Sequence, residues 1–149
     1  MSRFLFPPYP GGVGDGVDTA YTVLGGTNGT QPTFSGDPLF TGSYVKFGES
    51  VTFRINVAMT NITNFGTGQY YVKLPFTSKY TIFMRDGHLH DTSTGREYSI
   101  SAHTFAGSDD AWLYSTRSNG HEETFTNNTP FTLATADIFH IGGTYITAE

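Results

Sequence analysis

Cysteine is absent from the 149 residues of this chain, and charged residues make up only 14% of them. Without cysteine there are no disulfides, no thiolate nucleophile and no cysteine-based zinc site. The net charge of -5 offers no basic surface to neutralise a phosphate backbone, so we expect no nucleic-acid partner. Packing or assembly must therefore supply the stability of the fold.

Long apolar runs are missing as well. No segment approaches the roughly 20 apolar residues that cross a bilayer. The apolar start, Phe4-Leu5-Phe6, is stopped by Pro7 and Pro8 before it is long enough to act as a signal sequence. We therefore expect no membrane partner and no Sec-dependent export.

The chain does contain a strong pattern of alternating strands. Apolar residues occupy every second position from Val51 to Met59 with polar residues between them, as in a half-buried strand. A glycine-rich turn and a second alternating run, from Tyr70 to Leu74, follow. Similar short runs recur at intervals of about ten residues, and no segment has a helical period. The pattern predicts an all-β fold, an antiparallel β-sandwich or jelly roll.

Residues 1–18 are predicted to form an extended N-terminal arm, and residues 19–149 the β-sandwich domain. The arm combines three prolines with several glycines, and neither residue type nucleates regular structure there. It also carries the aromatic residues Phe4, Phe6 and Tyr9. Two interpretations follow: a disordered terminus, or an anchor whose aromatic side chains are buried on a partner.

Five segments are similar in sequence to one protein family. They are residues 25–40 (GGTNGTQPTFSGDPLF), 42–48 (GSYVKFG), 64–76 (NFGTGQYYVKLPF), 85–91 (RDGHLHD) and 139–145 (FHIGGTY). Together they resemble the C-terminal β-domain of minor tail proteins from phages of actinobacteria. More loosely, their layout is similar to the β-domains of many phage fibre and appendage proteins.

This resemblance implies a virion structural protein, assembled in the cytoplasm of the bacterial host. It also implies a homotrimer, whose partners are copies of itself and other virion proteins, either tail proteins or the major capsid protein. Family members usually carry the domain at the end of a much longer chain, whereas a short arm precedes it here. The alternative is therefore a capsid decoration or head-fibre protein on the outer shell. The residues expected to attach the protein to the particle are Phe4, Phe6, Pro7, Pro8 and Tyr9.

His88 and His90 are candidate metal ligands. Residues two apart on a strand point to one face, and three such pairs around a threefold axis could surround a metal ion. The alternative is that both are ordinary polar strand residues, because one chain offers no third ligand at a fixed spacing. We expect neither a metal nor another cofactor.

Catalytic patterns are not evident. The acidic pairs at 109–110 and 122–123 do not establish the two carboxyl groups at a set distance that a glycosidase needs. Ser115, Ser118 and His121 lack an acidic partner in any recognised triad order. We expect that the protein is not an enzyme.

Aromatic residues are abundant, at 15% of the chain. Tyr70, Tyr71, Trp112 and Tyr114 are candidates for stacking on sugars, because flat rings offer amphipathic contact area. Trp112 and Tyr114 share one face of a predicted strand while Leu113 takes the other, so one of the two sets belongs to the core. The third functional interpretation is a module that binds a host cell-wall glycan.

Overall fold

The computed structural model describes residues 16–117 and 119–149. All of the regular elements in this part are β-strands, and all of their pairings are antiparallel, so the predicted all-β class is confirmed. The described residues form no helix, and hence none that could cross a membrane. The strands are β1 (Thr19–Thr22), β2 (Gly25–Thr27), β3 (Thr33–Phe34), β4 (Leu39–Phe47), β5 (Ser50–Ala58), β6 (Ile62–Asn64), β7 (Tyr70–Lys73), β8 (Ile82–Asp91), β9 (Arg96–Thr104), β10 (Asp110–Thr116), β11 (Glu122–Thr124) and β12 (Ile138–Ile146).

Ten strands form one sheet, in the order β1-β4-β5-β12-β8-β9-β10-β7-β2, with β11 also paired to β10. The strands β3 and β6 form a separate small sheet. The predicted sandwich implies two separate, stacked sheets. The structure instead has one large sheet, because β12 pairs with β5 on one side and with β8 on the other. This strand joins the two halves into one continuous ladder.

The large sheet curls, so that strands distant in its order meet across the core. The rings of Phe139 on β12 and Phe125 next to β11 are 5.6 Å apart, and those of Tyr44 on β4 and Phe76 after β7 are 5.0 Å apart. The Tyr145 hydroxyl accepts a hydrogen bond from the Phe76 N–H (3.0 Å) and donates one to the Phe76 carbonyl (2.9 Å). Both halves of the sheet therefore share one core.

Burial along β5 alternates as the sequence predicts, because successive side chains point to opposite faces. Thr52 and Arg54 are exposed. The apolar residues at alternate positions are at most 2% exposed: Val51, Phe53, Ile55 and Val57. Burial of each such side chain stabilises the fold by about 1.5–3 kcal/mol.

One short segment, from β1 to β2, provides both edge strands of the curled sheet. The strand β1 pairs with β4 and the strand β2 pairs with β7, and Val23 and Leu24 are the residues between them. The Leu24 carbonyl accepts a hydrogen bond from the Lys73 N–H (2.8 Å), and the Tyr21 hydroxyl donates one to the Lys73 carbonyl (3.3 Å). The segment thereby protects β4 and β7, which would otherwise expose unpaired backbone groups.

The turn before β7 depends on Gly66, whose φ is +71°. Its N–H donates to the Asn64 side-chain oxygen (2.8 Å), and the next N–H, of Thr67, donates to the Thr30 carbonyl (3.0 Å). A Cβ at Gly66 would overlap the same Thr30 oxygen and lie 3.0 Å from the Pro32 nitrogen. The turn is therefore held tightly against the loop that precedes β3.

Candidate functional site

Trp112 and Tyr114 lie on the outer surface of the large sheet. Along β10, Ala111 and Leu113 face the core and are 0% exposed, whereas Trp112 and Tyr114 are partly exposed. Tyr71 on β7 is also partly exposed and pairs with Trp112 across the strands. The aromatic pair that the sequence singled out therefore belongs to the outer face.

Strand register extends this pair into a row of rings. His103 on β9 is directly opposite both Trp112 on β10 and Phe83 on β8. Ring centroids are 5.0 Å apart for Tyr71 and Trp112, 4.0 Å for Phe83 and His103, and 4.2 Å for His103 and Tyr114, which are stacked. We call these five residues the aromatic face. Phe83 remains 58% exposed within it.

A polar pocket of about 440 Å³ lies beside the aromatic face. Its side chains come from the outer surfaces of β8 to β11 and from the turn before β11. The polar ones are Arg85, Ser99, Ser101, Thr116, His121 and Glu122. Glu122 connects the two surfaces: its Oε1 accepts a hydrogen bond from Ser101 Oγ (2.9 Å), and its Oε2 is 3.5 Å from His103 Nε2.

Burial dominates the electrostatics of His103. It lowers the pKa of the imidazole, the nearby Glu122 carboxylate opposes this shift, and Arg85 adds to it. Within the described part of the chain the buried Nε2 atom has no hydrogen-bond partner, because its separation from Glu122 is an ion-pair distance without hydrogen-bond geometry. His103 is thus held mainly by the rings of Phe83 and Tyr114.

We expect His103 to contribute to the pH dependence of stability. Its pKa in the folded protein lies below the unfolded value of about 6.5, so protonation favours the unfolded chain. Its contribution is complete above that pH and is lost as the pH falls through the folded pKa. Urea unfolding at about pH 7.5 and about pH 5.5 measures this loss, and His103→Asn should show a smaller one than the wild type. The control is His121→Asn in the pocket wall, and equal losses in wild type and His103→Asn would contradict the assignment.

His88 and His90 both lie on the outer face of β8. His88 is opposite His140 of β12 in the strand register, and His90 Nδ1 is 2.5 Å from Glu97 Oε1. Among residues 16–117 and 119–149, no group of three His, Cys, Asp or Glu side chains is placed to hold a metal ion. The expectation of no metal stays a prediction, with the threefold arrangement of these imidazoles as its alternative.

The acidic pairs take part in ion pairs. Lys73 Nζ is 2.8 Å from Asp109 and 2.7 Å from Asp110. Lys73 donates a hydrogen bond to Asp109, and this contact, followed by the one with Asp110, raises the pKa of Lys73. Glu123 pairs with Arg117. These contacts fix the ends of β10 and β11.

Ser115 and His121, two of the residues considered for a triad, are separated by the sheet. Ser115 is fully buried on the core side of β10, whereas His121 lines the polar pocket on the outer side. Ser118 lies outside the described residues, as do the predicted attachment residues. The latter are Phe4, Phe6, Pro7, Pro8 and Tyr9.

A wide groove of about 700 Å³ crosses the outer surface of β4, β5, β12 and β8. Short side chains and glycines form most of its floor, and Thr52 and Thr144 share a hydrogen bond there (2.8 Å). Arg54 and His140 are its cationic and imidazole side chains, and Asp86 is its acid. It lacks the adjoining rings of the aromatic face.

Comparison of the chain with family models, curated proteins and solved structures finds no match. The resemblance to phage tail β-domains therefore stays a prediction.

Proposed function

We propose that this protein is a non-enzymatic structural component of a phage particle, a homotrimer attached through its N-terminal arm as an appendage similar to a minor tail protein. The five segments that resemble tail-protein β-domains support this proposal. Under this proposal, the curled sheet is the jelly-roll-like unit of the trimer, and the β-domain faces outward from the particle.

The observation that carries the proposal is an exposed apolar corner at β1. Val17 and Phe47 are 60% and 65% exposed. Val17 follows Gly16, which lies close to Phe47: the Gly16 N–H donates to the Lys46 carbonyl (2.8 Å), and a Cβ on Gly16 would be 2.7 Å from the Phe47 ring. Exposed apolar groups beside an edge strand are features that a closed ring of subunits covers. We call Val17, Phe47 and β1 the assembly corner.

The arm joins the domain at the assembly corner. Residue 16 is the first one described, and β1 begins three residues later, at Thr19. A trimer closed through this corner would bring three arms together on the side that faces the particle. The shell beneath can be either the tail or the capsid, and a head decoration or head-fibre protein would use the same arrangement.

Removing the aromatic side chains of the arm should reduce incorporation into particles. We expect Phe4→Ala, Phe6→Ala and Tyr9→Ala together to lower occupancy roughly tenfold or more, because buried aromatic anchors dominate such interfaces. Mass spectrometry of purified particles measures occupancy, and native mass spectrometry should show three copies of the 16.3 kDa chain for wild type and variant alike. Ser2→Ala is the matched control.

Imaging of tagged protein on intact particles then distinguishes the two attachment sites. A label on the tail supports the appendage, and a label on the head supports the decoration protein. Wild-type occupancy of the triple variant would overturn the role of the arm. A monomeric mass of the wild type would overturn the trimer.

A further inference from the structure

We propose that the aromatic face and the polar pocket form a single binding site for a neutral oligosaccharide. The inference rests on the proposed function only in that the β-domain faces outward, where it can meet a host surface. The complete site lies within one chain.

The aromatic face supplies the stacking surface. Its row runs across β8, β9, β10 and β7, which at about 4.8 Å between neighbouring strands amounts to roughly 14 Å. The apolar C–H face of a sugar ring packs well on flat rings that are amphipathic and rigid. Phe83 and Trp112 present such rings at separate places along the row, which makes room for more than one sugar unit.

The polar pocket supplies directional contacts to the hydroxyl groups. A sugar hydroxyl both donates and accepts, so it needs acceptors such as Glu122 and donors such as the guanidinium of Arg85. Arg85 makes no ion pair with any residue in the described part of the chain, which leaves its donors for a ligand. Ligand sites typically combine a mainly apolar surface with a few polar groups in this way.

Glu122 makes the two surfaces one site. The hydrogen bond from Ser101 holds one carboxylate oxygen on the pocket side, and the other oxygen is directed toward His103 in the row of rings. A sugar stacked on the row would therefore have its hydroxyl groups within the pocket. The positions of Trp112 and Tyr114 in the sequence do not predict the polar pocket, which is the second half of the site.

Charge favours a neutral saccharide over a polyanion. The protein carries a net charge of -5, Glu122 lies at the centre of the site, and Lys73 at its edge is already paired with two carboxylates. Nucleic acids and acidic polysaccharides would meet repulsion. A second copy of the chain is also a poorer match, because the centres of protein interfaces are depleted of glutamate, whereas Glu122 lies 3.5 Å from His103 in the row of rings.

Trp112 is the sole tryptophan, so its fluorescence reports directly on the site. The wild type would first be screened on an array of neutral oligosaccharides and matched uronic-acid oligosaccharides. The neutral, soluble oligosaccharide that binds best would then be titrated into the protein while Trp112 emission is recorded. We expect a saturable change, and Tyr71→Ala and Glu122→Gln should each weaken affinity about tenfold. Glu123→Gln, the same change at the next residue, which pairs with Arg117, should leave affinity unchanged.

Measuring the oligomeric state of each variant keeps this test separate from the proposed trimer. Phe47→Ala, in the assembly corner, should weaken the trimer but preserve the affinity of each chain for the oligosaccharide. No binding by the wild type, preferred binding of acidic members, or no effect of Glu122→Gln would overturn the site. Loss of the trimer in Tyr71→Ala without any saccharide binding would make the aromatic face a subunit interface, and the trimer proposal alone would stand.

Discussion

Replacing Phe125 with alanine is expected to lower the free energy of unfolding by about 3–5 kcal/mol, the usual cost of emptying a buried phenylalanine site. The side chain is 0% exposed, and its ring lies 5.4 Å from that of Tyr70 and 5.6 Å from that of Phe139. These partners belong to β7 and β12, which are distant in the sheet order. The cavity would open where the two halves of the curled sheet meet, so neither half could close it alone.

Denaturant unfolding followed by circular dichroism measures this loss, with an unchanged dependence on denaturant concentration as the sign that the unfolded state is unaltered. Phe105→Ala is the matched control, because this phenylalanine is 56% exposed and its removal should change stability by less than about 0.5 kcal/mol. If Phe125→Ala cost no more than Phe105→Ala, the described core would be wrong.

Gly66→Ala is expected to destabilise the protein by about 2–4 kcal/mol, the sum of an unfavourable positive φ and a steric clash. The backbone there has φ of +71°, and the new Cβ would overlap the Thr30 carbonyl oxygen. Relief of the clash requires movement of the loop before β3, which would break the hydrogen bond from the Thr67 N–H to that oxygen.

Gly95→Ala provides a control with nearly the same backbone. Its φ is +68°, but apart from its own chain neighbours no atom of the described residues would lie within 4 Å of a Cβ there. It should therefore show only the conformational cost, about 1–2 kcal/mol. The difference between the two variants in thermal or urea unfolding gives the steric part, and equal effects would refute the close packing at Gly66.

Local patterns in the sequence predict the strands and their buried faces well. The alternation from Val51 to Val57 and the opposite orientations of Trp112 and Leu113 both follow from the geometry of a single extended segment. Such features need no knowledge of neighbouring strands. The all-β class is predictable for the same reason.

Pairing between distant strands is not predictable in this way. The aromatic face exists because Phe83, His103 and Trp112 occupy matching positions on three strands, and no single segment encodes that register. For the same reason, the sequence does not predict that His88 lies opposite His140. This reason also explains why one continuous sheet was not predicted, since the position of β12 between β5 and β8 is a property of the whole fold.

The environment of Glu122 depends on a short strand that the sequence does not predict. Beside the Asn119-Gly120 turn, the acidic pair at 122–123 is typical of solvated loop charge. Pairing of β11 with β10 instead sends Glu122 to the polar pocket and Glu123 to Arg117. A strand of three residues is too short for its alternation to be recognised in the sequence.

The place of β12 has a consequence for biosynthesis. Among the strands of the described residues it is the last to leave the ribosome, yet it lies between β5 and β8. Until it arrives, β5 is paired only with β4 and β8 only with β9, so each of these long strands presents one unpaired edge that can associate with other newly made chains. A product that stops short of Ile138 would keep both strands open, so premature termination there should yield insoluble material, not a smaller working protein.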